Sequence, residues 1–91
     1  MGETTIKLEW EAGAFEKYQW MIAKIPLFHR NIAKIVVDKK ALANAQARGS
    51  RMVEEEDIVK AFFSEVPKAF YSLMIRLFDE VGFDYKEHEE E

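Results

Sequence analysis

Cysteine is absent from this chain. That omission removes thiol nucleophiles, disulfides, zinc knuckles and iron–sulfur ligation together, and it fits a reducing compartment. Glycine is scarce, four residues in 91, and none of it forms a Gly-rich phosphate loop. There are only two histidines: His29 has no second ligand at i+3 or i+4, and His88 lies in an acidic tail that offers at most a weak surface metal site. Positive charge is in deficit. A formal net charge of −4 with a pI near 5.2 argues against general affinity for nucleic acid. No apolar run approaches the roughly 20 residues of a membrane span. The opening Met-Gly-Glu-Thr-Thr has neither a basic region nor an apolar signal segment. A cytoplasmic protein is expected.

What the chain does have is apolar bulk: 48% hydrophobic residues and 13% aromatics. That furnishes one real core, in a domain too small to bury a large share of its surface alone. An oligomer, most simply a homodimer, is therefore expected. Three segments follow: an N-terminal arm over 1–10, a single helical domain over 11–85, and a disordered acidic tail over 86–91.

Ile6, Leu8 and Trp10 alternate loosely, as in an extended arm. From Glu11 the spacing turns helical. Phe15, Tyr18, Ile22 and Ile25 form one stripe while Trp20 and Met21 point elsewhere, so this first helix must be covered on more than one side. Pro26 closes it and opens a central helix from about Leu27 to Arg48. Phe28, Ile32, Ile35, Val36 and Leu42 are read as its inward stripe, and Ala41, Ala43, Ala45 and Ala47 as sites of close approach. Gly49 stands where a left-handed cap is wanted.

Glu54, Glu55, Glu56 and Asp57 open a third helix at the positive end of its dipole, followed by apolar Ile58, Val59, Phe62, Phe63 and Val66. Pro67 is expected in the first turn of a fourth helix carrying Phe70, Leu73, Met74, Leu77, Phe78 and Val81. Gly82 ends that helix, with Phe83 folding back on its last turn. The fold class expected is all-α: a compact domain of four helices.

Chemistry is harder to find. Four successive carboxylates diverge by about 100° each, so at most two share a helix face, and no metal site is expected there. Neither His29 nor His88 reads as a general base, and no Ser or Thr has a positioned base. The central helix is largely one-signed by contrast: Lys24, Arg30, Lys34, Lys39, Lys40, Arg48 and Arg51 face only Asp38 over 24–51. Arg30, Lys34, Lys40, Arg48 and Arg51 form a candidate basic surface for an anion or nucleic acid. The competing reading is internal compensation by Glu54 to Asp57 and Glu65, or by a second protomer. Trp10, Trp20 and Tyr71 are read as buried aromatics rather than a stacking platform.

Three resemblances rest on these residues. Trp10-Glu11-Ala12, then Pro26, Phe28 and Arg30, then an Ala-rich helix into Gly49, resembles the small C-terminal domain found in light-independent protochlorophyllide reductase. The catalytic, cluster-bearing part of that enzyme has no counterpart here, so the resemblance implies a fold and no activity. The order Pro26-Leu27-Phe28, Ala33-Lys34 and the ending Gly82-Phe83-Asp84-Tyr85 is similar to a bacterial family of unassigned activity. Ala45 to Ala61 resembles the histone fold, which implies a short helix, a long helix, a link and a further helix, paired as intertwined dimers.

The functional expectation is a non-enzymatic interaction or accessory module acting as a homo-oligomer, with no catalytic, cofactor or metal residues. The alternatives are a histone-like DNA binder using the basic surface, and a small cofactor- or tetrapyrrole-binding accessory protein.

Overall fold

Helix-forming spacing and well-placed caps decide the architecture of residues 8–88, the part described by the computed structural model. The elements are β1 (Glu9–Trp10), α1 (Ala12–Ala23), α2 (Leu27–Ala47), β2 (Met52–Val53), α3 (Glu55–Glu65) and α4 (Tyr71–Val81), with 3-10 turns at Lys68–Phe70 and Lys86–His88. Among the described residues this is an all-α domain of four helices, bearing one two-residue parallel ladder.

Each helix boundary has a local cause. Glu11 caps α1 by accepting from the Ala14 backbone N–H at 2.7 Å. Pro26 cannot continue α1, and its fixed φ of −53° opens α2 instead. Gly49 ends α2 with φ +75°, a conformation side chains resist, and Ser50 N–H then reaches the Ala45 carbonyl at 2.9 Å. Gly82, at φ +91°, ends α4 in the same way. Phe83 donates its backbone N–H to the Phe78 carbonyl and sets its ring 5.7 Å from that of Phe78.

The core is a run of touching rings among aliphatic side chains. Trp10 stacks on Tyr18 at 5.4 Å, Tyr18 meets Phe62 edge-on at 5.9 Å, and Phe62 meets Phe78 at 5.6 Å. Met21, Val37, Ile58, Val59 and Met74 fill the spaces between them. Here α3 packs along α2 more extensively than any other pair of elements. Ala41, Ala45 and Ala61 are all fully buried, and their small side chains let the two helices come close.

Several expectations need correction. The inward face of α2 is not Phe28, Ile32 and Ile35 but Val37, Ala41 and Ala45, which are fully buried. At 3.6 residues per turn Val37 lies about 160° around the helix from Ile35, so the two sets face opposite ways. The small-residue face wins because α3 can approach it closely. Along α1 the buried set is Ala14, Tyr18, Met21 and Ile22, whereas Phe15 and Trp20 are exposed.

Pro67 does not start α4. Its extended backbone first caps the 3-10 turn, closed by Phe70 N–H donating to the Pro67 carbonyl at 2.9 Å, and α4 begins at Tyr71. Of the expected arm over 1–10, residues 1–7 lie outside the described residues, while Glu9–Trp10 pairs with Met52–Val53. In the tail over 86–91, Lys86–His88 form a 3-10 turn. It is anchored by the buried Tyr85, whose carbonyl accepts from His88 N–H at 2.9 Å. Residues 89–91 lie outside the described residues.

Candidate protein-docking site

Arg30 and Arg48, two of the five residues read as a basic surface, are turned inward to brace the fold. The Arg30 guanidinium donates to the carbonyls of Ala23 at 2.9 Å and Ile25 at 3.0 Å, closing the end of α1 that Pro26 interrupts. Arg48 makes a bidentate pair with Asp57 at 2.8 and 2.7 Å, and also reaches Glu56 at 3.1 Å. Asp57 is 1% exposed, and it also accepts the Glu54 backbone N–H at 2.8 Å, the capping-box bond at the start of α3. Those hydrogen bonds, opposed by burial and helped by the neighbouring carboxylates, hold the Arg48 guanidinium more firmly protonated than usual.

Lys34 is paired with Asp38 at 2.8 Å, and Asp38 in turn accepts the Tyr18 hydroxyl at 2.5 Å. Burial, then the hydrogen bond and charge of Asp38, push the Tyr18 phenol well above its ordinary value of 10.0. Among the described residues Lys40 and Arg51 have no ion pair. Arg30, Lys34 and Arg48 thus serve, in turn, the end of α1, the Tyr18 network and the α2–α3 link.

What converges instead is apolar. Leu27, Phe28, Ile32 and Ile35 are 74%, 79%, 66% and 65% exposed along the first half of α2. Phe70 and Leu73, from the 3-10 turn and α4, are exposed as well. Of these, Ile32, Phe70 and Leu73 line an open groove of about 340 Å³, floored by Met21, Val37, Phe62 and Met74, while Leu27, Phe28 and Ile35 lie outside its lining. Its only ionisable side chains are His29, whose ring lies 4.1 Å from that of Phe28, and Glu65. No group of three or more His, Asp or Glu stands at metal-holding distance among the described residues. His88 sits in the C-terminal 3-10 turn, outside the residues lining the groove.

The residues of the family-like motif fall into two groups. Trp10, Pro26, Arg30 and Gly49 serve the fold: a ring stack, a helix break, a helix cap and a left-handed turn. Phe28 alone is offered to solvent. Trp20 is exposed on another shoulder beside Glu16, Lys17 and Glu80, while Tyr71 is half-buried and donates its hydroxyl to the Phe63 carbonyl. Sequence reasoning missed the patch because it assigned the largest side chains of α2 to the core. The available signal was the spacing itself, which carries two apolar faces on one helix.

The class this fold and site define is an all-α domain with an uncovered apolar groove. Comparison with family models, with curated proteins and with solved structures finds no match to the chain. No helix among the described residues is long and apolar enough to cross a membrane.

Proposed function

We propose that this protein is a non-enzymatic interaction module that acts as a homo-oligomer through the exposed face of α2 and the adjoining groove. The observation that carries the reading is the exposure of Phe28, Ile32 and Ile35 on one face of α2, with Leu27 exposed at its start. An apolar patch of that kind marks a contact surface. The order of short helix, long helix, link and further helix is in keeping with a histone-like or reductase-domain-like topology, and units of the histone fold pair to complete a shared core. The nucleic-acid alternative draws less support, because Arg30, Lys34 and Arg48 are engaged within the chain.

Sedimentation equilibrium at micromolar concentration tests the proposal. A mass of two or more chains is expected, falling to one chain in Ile32→Glu with helicity retained. A wild-type protein that stays monomeric would remove the homo-oligomeric reading.

A further inference from the structure

Two apolar faces share α2, and the chain itself covers one of them. Val37, Ala41 and Ala45 are fully buried. At about 100° per residue, exposed Phe28, Ile32 and Ile35 are centred about 150° around the helix from that set. The outer line continues through Lys39, Leu42 and Gln46, so its steps are four, three, four, three and four residues. That alternation marks the contact positions of one helix packed along another. Lys39 interrupts it, exposed and without an ion pair among the described residues. A single lysine in such a seam weakens pairing but fixes its register. Resting on the homo-oligomeric reading, we infer that α2 packs outer face to outer face along α2 of a second copy, antiparallel, with Lys39 level with the partner's Phe28.

Lys39 selects this arrangement by exclusion. A parallel pair in register stacks Lys39 on the partner's Lys39 and aligns two helix dipoles side by side. An antiparallel pair centred at Val37 covers the whole line, yet it leaves the two lysines four residues apart, about 6 Å along the contact. Centring the pair between Ala33 and Lys34 separates them by eleven residues, about 16 Å. Ile32 then meets the partner's Ile35, and Lys39 sets its ammonium against the ring of the partner's Phe28. Like charges brought together in a dry contact repel strongly, and this centring removes that repulsion while both isoleucines stay opposite the partner's helix.

The area is sufficient. Phe28, Ile32 and Ile35 are 79%, 66% and 65% exposed. At about 200 Å² for a large apolar side chain they bring roughly 400 Å² from each copy, and the Lys39 stem and neighbouring Asn31 enlarge it. Two copies together reach about 1,000 Å², the lower end for a specific contact. The same face serves both copies, so the contact closes at two.

A distance between spin labels tests the register in the whole chain. There is no native cysteine, so Gln46→Cys gives a single attachment point for a nitroxide. Gln46 is exposed and lies beyond the paired stretch. Pulsed electron spin resonance should read about 38 Å between the two labels of the dimer, 25 residues of helical rise plus the helix separation. The antiparallel pair centred at Val37 gives about 28 Å instead, and a parallel pair under about 15 Å. Either of those distances overturns this arrangement and leaves homo-oligomerisation standing.

Lys39→Leu, made in the labelled chain, supplies a second readout. It should tighten self-association at least about tenfold and add a population near 28 Å, because nothing then penalises the longer overlap. Unchanged affinity with one unchanged distance would show that Lys39 selects nothing. A monomeric wild type overturns both this arrangement and the homo-oligomeric reading. Wild-type protein that co-sediments with phosphatidylserine vesicles at concentrations where it does not self-associate overturns it too, by assigning the face to a lipid surface.

Discussion

The two halves of α2 meet opposite fates. Its C-terminal half presents Val37, Ala41 and Ala45 to α3, all fully buried, and finishes with Arg48 locked onto the buried Asp57. Its N-terminal half presents Phe28, Ile32 and Ile35, larger and more apolar side chains, to open solvent. Burial in this protein therefore does not follow hydrophobicity residue by residue. It follows which face another backbone can approach, and small side chains admit a helix that large ones hold off.

The sharpest way to break this contrast is to treat both regions alike. Phe62→Ala removes a ring that touches both Tyr18 and Phe78, and it should cost about 3–5 kcal/mol in urea unfolding. Next in size is Arg48→Met, which leaves Asp57 buried without its cation. Breaking a fully buried pair costs about 3–5 kcal/mol. Because the Arg48 side chain is about a third exposed, the expected loss in the same unfolding experiment is nearer about 2–3 kcal/mol.

Tyr18→Phe should cost about 1 kcal/mol near neutral pH by deleting the bond to Asp38. It also changes the alkaline limb. The folded state holds the phenolic proton beyond pH 10 while the unfolded chain releases it, so wild-type stability falls as pH rises above 10. The slope is up to about 1.4 kcal/mol per pH unit, and the variant should lack that component.

The smallest effect on the folded protomer is expected from Phe28→Ser, within about 0.5 kcal/mol when measured at dilute, unassociated concentrations. Its signature lies elsewhere. The melting temperature of wild type should rise with protein concentration, and that of the variant should not. A Phe28→Ser protein as damaged as Phe62→Ala would show that the two halves do not differ as described.

Much of the helix layout was legible beforehand because its signals are local. Pro26 forbids helix continuation, Gly49 and Gly82 accept positive φ, and the acidic run marks the start of α3; each acts within a few residues of itself. The groove was not legible. The sequence shows α2 with apolar residues on two faces, and nothing local tells which face α3 will take. Nor does it show that Asp57, one of four successive carboxylates, is the member sealed against Arg48. That pairing depends on how the link between α2 and α3 folds the chain back on itself.

An all-α chain with its breaks and caps in place could be read from residue order, since those features rest on backbone geometry and hydrogen bonds between near neighbours. Tertiary packing alone decided which side of α2 was hidden, that Arg30 and Arg48 would brace the fold, and that Glu65 would stand in an apolar groove. Those outcomes turn on how closely whole helices approach, a property of surfaces assembled from residues far apart in the chain.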